Sequence, residues 1–326
     1  MSEATRAAAP GRVSIIVACA LPAHGLTRLS AAFDVHYAPD AARREHAIAT
    51  WGTVVRGVVT NVATGWRAQW MDRLPALEII CAIGVGYESI DVAAARARGI
   101  AVTHGRGANT ASVADHAIAL LFAAVRGIVS NDRAMRAGEW NALRHAWPDL
   151  SGRRAGILGL GAIGMAIATR LAAFDMPISY HNRNPRGDVP FDYAPDAVVL
   201  AAAADFLFVC APGGAATHGL VDARVLRALG PDGYLVNVGR GTVVDTAALA
   251  EALHARTIAG AALDVYAEEP AVPQRLLDAP NLVLSPHVAG LSPRAEEAYV
   301  DGIVANLSAC FDGRALPTPV SGSDDR

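Results

Sequence analysis

Leu158-Gly159-Leu160-Gly161-Ala162-Ile163-Gly164 closes an apolar, strand-like run over 155–160 and opens a helical stretch over 165–174. That context makes a G-x-G-x-x-G pattern a dinucleotide fingerprint. Gly159 permits the tight turn, Gly161 lets backbone approach a pyrophosphate, and Gly164 allows close helix-to-strand packing while the helix N-terminus faces the phosphates. About 20 residues on, an NAD-selective domain places Asp or Glu at the next strand end to accept from the adenine ribose hydroxyls. Here that end reads Tyr180-His181-Asn182-Arg183-Asn184, without a carboxylate. A carboxylate would repel a 2′-phosphate, whereas Asn182 and Arg183 can donate to one. NADP(H) is therefore expected in preference to NAD(H).

Outward from the fingerprint, short β-branched or apolar runs alternate with Ala-rich helical stretches, which predicts an α/β fold of parallel sheets covered by helices. Strands are expected over 13–20, 54–60, 77–83 and 100–103, with a short helix over 91–98. A long apolar-periodic helix is expected from about Ser112 through Ala117, Leu120, Leu121 and Val125, continuing past Arg133 toward Trp140. A second set of strands follows over 155–160, 177–181, 206–210, 234–238, 259–263 and 282–284. Trp140 and Trp147, ahead of the cofactor strand, read as packing or dimer contacts. The tail after Pro317, ending in 321–326, reads as short, polar and frayed.

At 326 residues the chain exceeds the usual single core, so two domains are expected. Its 52% hydrophobic content excludes a disordered chain. The 28 basic residues, every one Arg, nearly balance 31 acidic ones, which argues against nucleic-acid or anionic-membrane binding. Without Lys, a Walker-type loop, a Schiff base and a kinase strand lysine are excluded. Cys19, Cys81, Cys210 and Cys310 lie far apart and suit a reducing cytoplasm. Residues 1–10 carry no apolar signal core, and the longest apolar run, 117–125, is too short to span a membrane. The other histidines, His104 and His116 among them, show no ligand spacing, so no metal is implied.

Three later segments each set a polar residue just after an expected strand, where ligands of parallel sheets bind. They offer Arg240 between glycines, Asp264 and Glu269, and His287 after Ser285-Pro286. An Arg, a carboxylate and a His suit 2-keto acid reduction: guanidinium for the substrate carboxylate, imidazolium as proton donor, and a carboxylate supporting the ring.

The chain resembles the D-isomer-specific 2-hydroxyacid dehydrogenases over residues 54–320. The resemblance rests on Gly84-Val85-Gly86-Tyr87, Ile90-Asp91, Thr110 with Val113-Ala114-Asp115, the 159–164 fingerprint, Asn237-Val238-Gly239-Arg240-Gly241, Ala262-Leu263-Asp264-Val265, Glu269-Pro270 and Ser285-Pro286-His287. It implies Arg240, Glu269 and His287 as the catalytic trio, and Val85 and Gly86 amides, with Arg240 and His287, as the substrate contacts. It further implies cofactor contacts from Thr110, Leu160, Ala162, Ile163, His181, Cys210, Ala211, Pro212, Thr217, Val238 and Gly239, with Asp264 beside the nicotinamide. The stretch 210–217 departs from the family by small residues in place of a Pro-Leu-Thr run. Stretches 173–180 and 269–273 look most like NADPH-dependent hydroxypyruvate and hydroxyphenylpyruvate reductases, and Glu269 differs from the Gln that partners the His of formate dehydrogenase.

The resemblance implies two Rossmann-like domains, a cofactor domain (106–288) inserted into a discontinuous substrate domain (1–105 with 289–326), and a homodimer paired through the cofactor domain. The expected activity is NADPH-dependent reduction of glyoxylate, hydroxypyruvate or an aryl pyruvate to the D-2-hydroxy acid. Two alternatives stand beside it: an NAD(H)-sensing, corepressor-like interaction protein, and a related oxidoreductase of another acid or of phosphite.

Overall fold

The computed structural model describes residues 11–320; the expectations for residues 1–10 and 321–326 lie outside them. The chain divides into two compact units, Met1–Asn109 with Ser292–Arg326, and Thr110–Leu291.

In the first unit, β1 (Ser14–Val17), β2 (Asp34–Tyr37), β3 (Val55–Asn61), β4 (Ile79–Ile83) and β5 (Ala101–Thr103) form a parallel sheet of order β2-β1-β3-β4-β5. Unbroken apolar runs such as Ser14–Val17 follow from burial on both faces, as helix-covered parallel strands require. Alternation then divides them: Ile16, Val58 and Ile80 pack around the buried Trp66, while Ile15, Val17, Val59 and Cys81 meet Ile303 and Leu307 of helix Pro293–Phe311. That helix starts with Ser292 Oγ accepting from Ala295 N at 3.2 Å and with proline at its first position.

The tail is not frayed as far as residue 320. Thr318 N donates to Asn306 Oδ1 at 3.2 Å, Pro319 pairs antiparallel with Thr103, and Val320 N donates to Val102 O at 2.8 Å. Asn306 is itself buried and binds Thr318 Oγ1 through Nδ2. A buried amide and an open sheet edge supply partners that a polar composition does not reveal.

The second unit holds β6 (Ala155–Leu158), β7 (Ile178–His181), β8 (Asp192–Tyr193), β9 (Phe206–Val209), β10 (Tyr234–Asn237), β11 (Gly260–Leu263) and β12 (Leu282–Leu284) in the parallel order β12-β11-β10-β9-β6-β7-β8. The chain leaves β6 to one side for β7 and returns on the other for β9, so a topological switch point opens at β6, where such sheets bind ligands. Helix Thr110–Val125 lays Val113, Ala117 and Leu121 against Ile157, Phe208 and Val236.

The helix expected to run from Ser112 toward Trp140 is broken. It ends at Val125, Gly127 takes φ +55, and a separate helix Ile128–Arg136 leaves at 60°. Any Cβ on Gly127 would lie about 2.2 Å from the Trp147 ring, so the returning chain occupies the path of a straight helix. Among the described residues no single helix is long and apolar enough to cross a membrane.

Candidate active site

The glycine loop forms where β6 meets helix Ala162–Ala172. Gly159 turns at φ +99, and a Cβ there would strike Ala211 N at 2.6 Å; one on Gly164 would strike Gly159 O at 2.4 Å. Gly239 presses on the same strand end, its Cβ direction leading to Ala211 O at 2.7 Å. Gly159 and Gly239 are thus what let the strand ends close in on the backbone of Ala211. Cys210 N donates to Leu158 O, Val238 N to Val209 O, and Thr217 Oγ1 to Pro212 O at 2.7 Å. Helices Ala197–Ala202, Ala223–Leu229 and Thr246–His254 are capped by the Asp196, Asp222 and Asp245 side chains, but helix Ala162–Ala172 starts from Gly161 with no side-chain cap and no acidic residue in its first turn. Its first N–H groups are left to an anion, which fits a dinucleotide pyrophosphate.

At the end of β7, His181 Nδ1 bonds Ala194 O at 2.9 Å, and Asn182 Oδ1 accepts from Leu160 N at 2.7 Å. Asn182 therefore holds the glycine loop with its oxygen and keeps only its amide N–H groups for a ligand. Arg183 is exposed. Arg186, on which no sequence motif falls, donates from Nη1 to Leu160 O at 2.9 Å and grips Asp188 through Nε and Nη2. That hydrogen-bonded pair holds the Asp188 carboxyl below the usual carboxylate range.

After β10, Asn237 is buried and clasps the next turn from both sides: its Oδ1 accepts from Gly239 N at 3.0 Å and its Nδ2 donates to Arg240 O at 3.1 Å. This fixes the backbone from which the half-buried Arg240 projects, and Arg240 Nη1 donates to Gly239 O at 2.9 Å. Glycine is required at 241, since a Cβ would fall about 1.8 Å from Tyr266 C. The Arg240 turn therefore lies directly on the backbone that leads to Glu269.

After β11 and β12 the remaining groups meet. Glu269 Oε2 lies 2.7 Å from His287 Nδ1, and Glu269 Oε1 accepts from Tyr266 N at 3.0 Å. The His287 and Glu269 side chains are 44% and 35% exposed, open enough to meet a substrate. His287 adopts φ +54, a left-handed conformation that a non-glycine residue holds only when its surroundings impose it. Asp264, 1% exposed, imposes it: Oδ1 accepts from Ser285 Oγ at 2.7 Å and Val288 N at 3.0 Å, and Oδ2 from Ala289 N at 2.9 Å. His116 Nε2 approaches Ser285 Oγ at 2.9 Å and Asp264 Oδ1 at 3.5 Å, and Tyr266 Oη donates to Ser285 O at 2.8 Å. Both carboxylate oxygens of Asp264 are thus spent on the loop that carries His287. Spacing along the chain could not show this, because its partners lie more than twenty residues away.

Thr110 begins its helix half-buried. In the other unit, Val85 and Gly86 follow β4 in a turn begun by Gly84 at φ +88, and both are partly exposed.

Residues 118–289, more than half the chain, match the model of the D-isomer specific 2-hydroxyacid dehydrogenase NAD-binding domain. The chain is also 42% identical over 267 residues to glyoxylate/hydroxypyruvate reductase A of Arabidopsis thaliana, covering 82% of this chain and 85% of the relative. The chain belongs to the D-isomer specific 2-hydroxyacid dehydrogenase family. A 2-ketogluconate reductase of Gluconobacter oxydans is 41% identical over 82% of this chain and 86% of its own. Among solved structures, an NADPH-dependent glyoxylate/hydroxypyruvate reductase of Sinorhizobium meliloti, in complex with NADP and malonate, superposes with a TM-score of 0.87 at 42% identity, covering 95% of this chain and 97% of its own. The chain is thus an oxidoreductase of this family, with an NAD(P)-binding domain in the unit that holds Arg240, Glu269 and His287.

Proposed function

We propose that this dehydrogenase uses NADPH to reduce small 2-keto acids, glyoxylate and hydroxypyruvate foremost, to D-2-hydroxy acids. The observation that carries the reading is the 2.7 Å Glu269–His287 pair, standing on strand ends of the sheet that also bears Arg240 and the glycine loop. When bound, the reduced nicotinamide supplies a hydride to the carbonyl carbon. Glu269 can only accept, so His287 Nδ1 is a donor and Nε2 is the nitrogen that passes a proton to the carbonyl oxygen. Arg240 holds the substrate carboxylate and carbonyl, and the Val85 and Gly86 amides receive the carboxylate. Reduction consumes the His287 proton and oxidation requires the neutral ring, so the two activities vary oppositely with pH.

Preference for NADPH is supported by the carboxylate-free end of β7 and by the exposed Arg183 beside it. Ile128, Val129, Met135 and Trp140, exposed on and after helix Ile128–Arg136, support pairing with a second copy. The four free cysteines suit a cytoplasmic setting.

The test is loss of reduced-nicotinamide absorbance with glyoxylate, hydroxypyruvate, an aryl pyruvate and 2-ketogluconate. His287→Gln should abolish turnover, and Arg183→Ala should cut kcat/KM with NADPH by about tenfold while sparing NADH. A chain that binds NADPH and turns over none of these acids would overturn the reading in favour of an interaction protein.

A further inference from the structure

We propose that His104 is a positioning residue for the substrate carboxylate: its ring holds the Val85 carbonyl and so turns the N–H groups of Val85 and Gly86 together into a two-donor cradle. This rests on the keto-acid reading of those two amides. After β4, Gly84 at φ +88 swings the chain past the end of β5. There Gly105 N donates to Gly84 O at 2.6 Å, and His104 Nδ1 lies 3.2 Å from Val85 O. The only cis peptide among the described residues is Glu269-Pro270, so both peptides of the turn are trans.

In a trans peptide the N–H points opposite to the C=O of the same plane. The Gly84 carbonyl faces Gly105, so the Val85 N–H faces away from it. The Val85 carbonyl faces His104, so the Gly86 N–H faces away from the ring. Neither amide has an acceptor among the described residues. Two adjacent N–H groups turned to one side form a concavity suited to an anion such as a carboxylate.

His104 is 8% exposed, and a carbonyl can only accept, so Nδ1 carries the hydrogen of this contact. Nε2 is buried with no partner among the described residues. No second side-chain hydrogen bond therefore orients the imidazole; packing edge-on to Tyr87 at 5.4 Å does the rest. The backbone is braced separately, since His104 N donates to Thr318 O at 3.2 Å.

The test compares His104→Asn with His104→Leu, equal in number of side-chain heavy atoms and in branching. Asn keeps an N–H donor at the same bond distance from Cβ as Nδ1, and Leu has none. The readouts are steady-state kinetics with glyoxylate and calorimetric binding of malonate. Leu should raise the glyoxylate KM and weaken malonate by about tenfold, the worth of one well-placed hydrogen bond to a charged group, with kcat and NADPH affinity close to wild type. Asn should remain within about twofold of wild type, a shift too small for a lost hydrogen bond. If the Leu chain does not fold, His104→Phe, which keeps an edge-on ring without the donor, takes its place. Unchanged KM and malonate binding in the donor-less chain, equal losses in the Asn and donor-less chains, or a loss confined to kcat would overturn the assignment. A wild-type chain that reduces no keto acid would instead defeat the keto-acid reading itself, while malonate binding still reports on the cradle.

Discussion

Asp264→Asn keeps the size of a buried side chain but removes its charge and one of its two acceptor oxygens. The carboxylate receives three hydrogen bonds from the loop carrying His287, at 2.7, 3.0 and 2.9 Å. Whichever way the amide turns, its NH2 group faces a donor. With Oδ1 kept toward Ser285 and Val288, the buried Ala289 N–H loses its acceptor, at a cost of about 1–3 kcal/mol. The two surviving bonds pass from a charged to a neutral acceptor and weaken by about 1 kcal/mol each. A loss of about 3–5 kcal/mol follows, and in a unit of this size it lowers Tm by roughly 6–20 °C. Because the same bonds hold His287 at φ +54, kcat should fall by about tenfold to a hundredfold as the ring loses its alignment. Thermal unfolding and steady-state reduction of glyoxylate read both effects on one preparation. Unchanged Tm and kcat would refute the reasoning. A change confined to the KM for NADPH would also refute it, by showing that Asp264 acts on the cofactor rather than through the loop.

Two further outcomes follow from the same geometry. Gly241→Ala sets a methyl group about 1.8 Å from the Tyr266 carbonyl carbon, which only backbone displacement can relieve. It should cost about 3 kcal/mol or more, read as lost soluble yield or a depressed Tm. His36 is stacked on Trp51 at 4.1 Å and hydrogen-bonded to Ser14 Oγ, and burial pushes its pKa below 6.5 against the opposing pull of Asp34. The unfolded chain therefore takes up the proton first as pH falls, so stability declines from about pH 6.5 downward through the lower folded value. Urea midpoints at about pH 7 and about pH 5.5 should converge in His36→Gln, and an undiminished pH slope in that variant would exclude His36 as its source.

The features legible along the chain were those whose cause is local. The fingerprint needs only a strand, three glycines and a helix, and β6 with helix Ala162–Ala172 supplies them. Apolar runs announced the central strands, but not β2, where Asp34 and His36 interrupt the pattern, nor the two-residue β8. The break at Gly127 is not legible in the sequence because the apolar period continues across it, and its cause is a tryptophan twenty residues later. Arg240, Glu269 and His287 stood out by their places after strands. The groups that aim them, Asn237 and Asp264, sat inside the same motifs, yet their hydrogen bonds exist only once the strand ends are side by side.

The pairing of residues 318–320 with β5 has a consequence for solubility. β5 is the outermost strand of its sheet, and an uncovered row of backbone donors and acceptors there would be a template for any passing chain in an extended conformation. Pro319 and its neighbours occupy that row, and proline has no N–H to offer in turn. The last described residues thus act as a built-in guard against edge-to-edge aggregation. A chain shortened to Leu316 would expose β5 and self-associate at concentrations where the longer chain stays dispersed.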